Sequence, residues 1–266
     1  MIEALSYEFM QNALIAGLLV SFIAGIMGSL IVVNRMVFLA GGIAHAAYGG
    51  IGIALYTGLP IFLGTTLFAI VAALFMAIVT LKQKENIDIF IGLIWATGMA
   101  IGIIFVDLTP GYNVDLMSYL FGSILAVSRE DIIFMGLLFL IILIVLKLWY
   151  RELLAVSYDS EYASLSGINV KFFYTLLLVL SALTVVIAIK VVGLILVIAL
   201  LTIPIYIAQR VAHSLLSMMF ISGFIASFFT LVGLWLSYSF NLTSGACIIL
   251  VASISLILFI LLKGLK

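Results

Sequence analysis

The sequence predicts an all-α fold, a polytopic membrane bundle of about nine transmembrane helices that forms one domain over residues 1–266. Three observations predict it. Hydrophobic residues make up 67% of the chain and charged residues only 8%, whereas a soluble globular domain is about a quarter charged. The few charges gather between apolar runs rather than inside them. Most of those runs approach or exceed the roughly 20 residues that a helix needs to cross hydrocarbon. This composition excludes a water-soluble enzyme, and a net charge of zero leaves no nucleic-acid-binding footprint.

The N-terminus, MIEALSYEFMQ, is acidic where a signal peptide would be basic. The run after it, 9–33, therefore reads as a retained span. Runs at 36–57, 60–80, 89–107 and 132–148 supply four more, and Asp88 opens the fourth run, where the helix dipole favours an acid. The stretch 172–208 holds a single charge, Lys190. As one helix it would be roughly 55 Å long, nearly twice the hydrocarbon thickness. The length therefore predicts two spans, 172–189 and 191–208, turning at Lys190 to Gly193, with Pro204 kinking the second. Runs at 214–237 and 245–262 complete the set. The segment 117–127 is too short to cross and reads as interfacial or re-entrant. The preceding loop, with Asp107, Asn113, Asp115 and the Pro110–Gly111 turn signal, is a surface loop or a contact for an extracellular partner or gate. Cys247, the lone cysteine, sits in an apolar run and reads as a small core residue.

Orientation is set by the cations. Arg35, Lys82, Lys84, Lys147, Arg151, Lys171, Arg210, Lys263 and Lys266 share one side if nine spans alternate from an outside N-terminus. The positive-inside rule makes that side cytoplasmic, with the C-terminus there too. Arg129 and Lys190 fall outside as exceptions, together with Glu3, Glu8, Asp107 and Asp115.

Polar residues within spans are costly and point to function. His45, in LAGGIAHAAYGG, lies about 13 Å into the second span, near the midplane. It reads either as a histidine hydrogen-bonded across a helix interface or as a metal ligand or proton carrier. Glycines such as Gly17, Gly25, Gly28 and Gly52 suit close helix packing. The adjacent pair Gly49–Gly50, just after Tyr48, weakens a helix by about 1 kcal/mol per glycine. A break there would expose carbonyls to a pathway. His213 comes just after Arg210 at a span end and reads as solvated.

The longest polar stretch is WYRELLAVSYDSEYASLSGINVK, 149–171, cytoplasmic in the orientation above. Within it, Y-D-x-E-x-A-x-x-x-G (Tyr158, Asp159, Glu161, Ala163, Gly167) reads as a short helix with acids in its first turn and a glycine at its end. By pattern alone it is either a plain loop or a contact for a cytoplasmic motor. The chain contains no P-loop, no H-E-x-x-H and no C-x-x-C. ATP chemistry must therefore come from another chain.

Several segments together resemble the permease subunit of the ABC importers for zinc, manganese and iron. They are VVNRMVFLAGGIAHAAYGGIGIAL, DIFIGLIWATGMAIGI, PGYNVDLMSYLFGSILAVSRED, RELLAVSYDSEYASLSGINV, VGLILVIALLTIPIYIAQ and NLTSGACIILVAS, in family order over nearly the whole chain. The resemblance implies a fold similar to the cobalamin-importer type in a prokaryotic cell (inner) membrane. It implies a homodimer of permeases in the lipid, two ATP-binding cassette ATPase subunits that use ATP, and an extracytoplasmic metal-binding protein. No cofactor is bound covalently, and the metal ion is cargo. The segment 157–169 becomes the cytoplasmic coupling helix that engages the ATPase. His45 matches the family's histidine in G-D-x-[LI]-S-H-[AS], whose Asp and His offer a carboxylate and an imidazole to a divalent ion. The Asp position is Gly41 here, the Ser position is Ala44, and the usual acid of LFG-[DN]-IL is Ser123. Tyr48, Gly49, Gly50 and Pro204 are candidate gate or pathway residues.

Two alternatives stand beside this reading. A permease of the same type carrying a metal chelate is motivated by Gly41. A haem-binding membrane anchor using His45 and His213 would need both rings at one depth, and the predicted topology separates them.

Overall fold

A computed structural model describes residues 6–82, 87–110 and 120–263. Glu3, Lys84, Asn113, Asp115, Lys266 and the first part of 117–127 lie outside the described residues. The elements are α1 (Glu8–Val33), α2 (Val37–Ala46), α3 (Tyr48–Thr57), α4 (Ile61–Lys82), α5 (Ile87–Asp107), a 3-10 turn (Ile124–Ala126), α6 (Arg129–Tyr158), α7 (Ser160–Leu165), α8 (Val170–Leu200), α9 (Ile203–Gln209), α10 (Leu215–Phe240) and α11 (Ser244–Lys263). No strand occurs among the described residues.

Among the described residues, eight stretches are long and apolar enough to cross a membrane, and α2 with α3 counts as one of them. The difference from about nine lies in 172–208. The backbone does break where the length argument placed the break, at Gly193 (φ 81, ψ 167) inside α8. The helical piece beyond Gly193 is shorter than a span, since α8 ends at Leu200 and α9 begins at Ile203. Pro204 stands in the first turn of α9, where it starts a helix rather than kinking one, because its missing N–H leaves no helical bond unmade there. The 3-10 turn at Ile124–Ala126 confirms that 117–127 is no crossing helix in its described part.

The chain forms two compact units by contact, residues 1–32, 115–136 and 187–266 in one, and 33–114 and 137–186 in the other. In the first unit, Gly17, Ser21, Gly25 and Ser29 recur every fourth residue on α1. Ser21 Oγ donates to the Gly17 carbonyl at 2.7 Å and lies 2.8 Å from Thr230 Oγ1 of α10. Ser222 Oγ lies 3.0 Å from the Gly25 carbonyl. Such hydroxyl contacts between membrane helices contribute about 0.6–2 kcal/mol each. A Cβ at Gly25 would overlap the backbone of Gly223, so this crossing requires a glycine.

The Gly193 break is held by a second non-helical segment of the same unit. Ser123 N–H donates to the Lys190 carbonyl at 3.3 Å. Ile124 N–H donates to Ser244 Oγ at 3.1 Å. Gly122 and Gly193 both have positive φ, and a Cβ on either would strike the other's backbone. Nearby cations are paired. Arg129 Nε is 2.7 Å from Glu8 Oε1, and Lys190 Nζ is 3.2 Å from Asp131 Oδ2. These two cations are the exceptions in the positive-inside count, and each has its charge offset by an acid.

In the second unit, α2 and α3 pack against α4 and α5. Ala47, where α2 meets α3, keeps helical φ and ψ (−58, −19), and Gly49–Gly50 lies unbroken inside α3. Helical bonding carries across the junction, with Ala47 N–H on Ile43 O at 2.9 Å and Gly50 N–H on Ala47 O at 3.0 Å. The glycines serve contact instead. A Cβ at Gly50 would meet Gly64 backbone, at Gly52 Gly102 backbone, and at Gly98 Ala46 backbone. α3 closes on Gly58 with φ 73, and α4 starts just past Pro60, as the run boundaries indicated.

These contacts predict a sharp contrast between glycines. Gly25→Ala should destabilise the protein by roughly 1–3 kcal/mol or more, because backbone must move. Gly92→Ala on α5, where nothing lies within 4 Å of the new methyl, should be neutral or stabilise by up to about 1 kcal/mol. Thermal unfolding in detergent compares them directly.

Candidate functional site

His45 is set by α2. Its side chain is 6% exposed, and its Nδ1 lies 2.9 Å from the Gly41 carbonyl one turn earlier. A carbonyl only accepts, so Nδ1 carries the proton and donates. In the neutral ring this leaves the Nε2 lone pair available to a cation. The imidazole stacks on Trp95 of α5, with centroids 3.9 Å apart and planes 25° apart. Burial of the ring therefore comes from an aromatic face rather than from a polar partner across the helix interface.

Gly41 contributes only its carbonyl, at the position where a carboxylate would complete a ligand pair. Among the described residues, no group of three or more His, Cys, Asp or Glu side chains is placed to hold a metal ion. The arrangement offers one imidazole nitrogen. An apolar groove of about 310 Å³ between α2, α4 and α5 is lined by Ala46, Phe68, Val71, Leu93, Thr97 and Gly98 among others, and His45 is not part of its lining. Its one hydroxyl, Thr97 Oγ1, donates to the Leu93 carbonyl at 2.7 Å.

The other pathway candidates of this unit lie just beyond His45. Tyr48 is 2% exposed and its ring packs on Gly102. Gly49 is closed off by the Phe68 ring and the Gly98 carbonyl, and Gly50 by α4. Pro204 belongs to the other unit. His213 is exposed just before Ser214, which caps α10, an environment unlike that of buried His45. The importance of Trp95 was not readable from the sequence, because stacking across two helices leaves no spacing signature.

The second site is built around α7. Asp159 is its N-cap: Oδ1 accepts from Glu161 N–H at 3.1 Å and Tyr162 N–H at 2.9 Å. At the other end Gly167 takes φ 81. Its N–H reaches Ser164 O at 3.1 Å, and Ile168 N–H reaches Ala163 O at 3.0 Å. This is the paired bonding of a Schellman stop. Ala163 is fully buried, whereas Tyr158 and Tyr162 are 64% and 63% exposed and Leu165 is 89% exposed. The five motif residues therefore divide by role. Asp159 and Gly167 set the ends, Ala163 seats the helix, and Tyr158 and Glu161 face outward.

Capping makes a local prediction. Asp159→Ala should destabilise α7 by about 1 kcal/mol, and Asp159→Asn should cost little. Faster hydrogen exchange at the Glu161 and Tyr162 amides in the alanine variant alone is the readout.

The chain matches the ABC 3 transport family over residues 6–263. It is 49% identical over 255 residues to an uncharacterized membrane protein of Synechocystis, covering 96% of this chain and 91% of that one. It is 34% identical over 250 residues to the manganese transport system membrane protein MntC of Listeria monocytogenes, covering 94% and 89%. In structure it is similar to a chain of PsaBC from Streptococcus pneumoniae in complex with Fab, with TM-score 0.88, 33% identity, and coverage of 97% of this chain and 94% of that one.

Proposed function

The chain belongs to the ABC 3 transport family, and from that premise we propose that it is the transmembrane permease subunit of an ATP-driven importer for a divalent transition metal ion: zinc, manganese or iron. The observation that carries the metal reading is His45, whose Nδ1 is held on the Gly41 carbonyl and whose Nε2 is left to meet a cation. Manganese is the first ion to test, because the relative from Listeria monocytogenes is named for manganese transport.

The whole chain, 1–266, acts as one permease domain. Two copies line the pathway, and Tyr48, Gly49, Gly50 and Pro204, each buried within one copy, back its wall rather than face it. An extracytoplasmic metal-binding protein delivers the ion. ATP is bound and hydrolysed by two partner ATPase subunits, since this chain has no P-loop. The segment 157–169 is the coupling helix. Capped at both ends, it is stiff enough to pass a push from the motor to the spans. The N-terminus lies outside and the C-terminus in the cytoplasm, which requires 194–209, the end of α8 together with α9, to return across the membrane as a ninth, broken crossing. The orientation is carried by the nine cations on the cytoplasmic side against Arg129 and Lys190 on the other.

A metal chelate is the second reading of the cargo. It is favoured by Gly41 in place of a carboxylate and by the lack of a three-ligand group among the described residues.

In proteoliposomes carrying the full transporter, His45→Ala should lower uptake of the free ion by roughly 10–100-fold or more, the range seen on losing even an outer partner of a metal. Assembly and ATP hydrolysis should persist. Undiminished uptake by that variant reduces His45 to a packing residue on Trp95. Loss of free-ion uptake in both proteins, with chelate uptake intact in both, selects the chelate reading.

A further inference from the structure

This inference rests on the reading of 157–169 as the ATPase contact and concerns the chemistry of the surface that receives it. We propose that α7 docks by charge as well as by shape: the ATPase cleft that receives it has an apolar floor for Tyr162 and Leu165 and a rim of Lys or Arg facing Asp159 and Glu161.

Four observations meet here. From Glu152 to Val170 the chain has no Lys or Arg, yet it carries Glu152, Asp159 and Glu161. Cations stand only at the feet of the segment, Arg151 and Lys171. Asp159 and Glu161 are both exposed, and the Glu161 carboxylate has no ion pair among those found in the described residues. The apolar side chains beside them, Leu165 at 89% exposure and Tyr162 at 63%, are held outward by a helix that is seated through buried Ala163.

An exposed tyrosine and leucine on a short helix have two available partners, the bilayer surface and a protein. The charges decide between them. Helices that lie on membranes carry Lys and Arg on the polar face, and the cytoplasmic leaflet bears a negative potential that attracts cations. An acid-only segment is repelled by that surface while Arg151 and Lys171 hold its ends near it. Tyrosine is enriched where proteins bind each other tightly. Complementary charges at the rim of such a contact speed encounter and make binding sensitive to salt.

The test uses the full chain in nanodiscs and, as the probe, the P-loop ATPase that co-purifies with it. Affinity is measured from low to high salt. Asp159→Asn with Glu161→Gln keeps a capping side chain and removes two charges. This variant should weaken binding by roughly tenfold at low salt and flatten most of the salt dependence. Tyr162→Ala and Leu165→Ala should weaken binding by about thirtyfold at all salt concentrations, with the slope unchanged. If the apolar variants weaken binding but the neutralised one keeps both the wild-type affinity and slope, the cationic rim is overturned and the coupling reading stands. If no variant changes binding, the coupling reading itself falls. A Ser164→Cys fluorescence label in the nanodiscs addresses the other occupant. Deeper burial of the label on adding anionic lipid, without ATPase, would assign this face to the membrane and overturn the proposal. No change with lipid, and burial only with ATPase, supports it.

Discussion

Direct approach of one helix backbone to another at glycine is the constraint on which this structure depends. In lipid the hydrophobic effect does not drive helices together, since acyl chains are as apolar as leucine side chains. Association must come from close packing, and close packing needs positions without a Cβ. Gly52 on Gly102, Gly50 on Gly64 and Gly98 on Ala46 supply it in one unit; Gly25 on Gly223 and Gly233 on Ile248 supply it in the other. Hydroxyls placed at the same crossings, such as Ser21 and Ser222, satisfy themselves on carbonyls of these helices. The interior can then stay almost free of charge without becoming loose.

The same constraint separates what was legible in the sequence from what was not. Span ends were legible because a charge in hydrocarbon is costly, so charges mark boundaries: α4 ends at Lys82 and α5 opens around Asp88. The break near Gly193 was legible from length alone, because no bilayer accommodates a straight helix over 172–208. The role of Gly49–Gly50 was not legible. Helix propensity counts the cost of two glycines but not the contact that offsets it. These residues stay helical against Gly64 and Gly98. Pro204 was misplaced for a related reason. A proline looks the same in sequence whether it bends a helix or begins one, and only the turn at Leu201–Thr202 distinguishes the two.

For the candidate sites the division is similar. The α7 motif was legible because its cap and acids act within the first turn and its terminal glycine within the last, so each signal is local. His45 was conspicuous as an imidazole in an apolar run, and its bond to Gly41 O is a consequence of helix geometry. Its stacking on Trp95 joins residues 50 positions apart and left no mark on the pattern. The ion pairs of Arg129 and Lys190 were hidden in the same way. They turn two violations of a charge rule into two neutral pairs, one of them partly withdrawn from solvent.

A lone imidazole also constrains how a divalent ion would travel under the proposed function. Moving a bare ion from water into apolar surroundings costs far more than one neutral ligand returns. The ion must therefore keep part of its water or chelating shell, or meet a second imidazole from another copy of the chain. Each route gives a weak, short-lived contact, and a weak contact is what a pathway needs if the ion is to leave as readily as it enters. A carboxylate at position 41 would hold the ion more firmly, and each cycle of ATP hydrolysis would then have to break a stronger bond. Under the proposed function, glycine at that position would shift the work of capture away from the membrane and onto the protein that delivers the cargo.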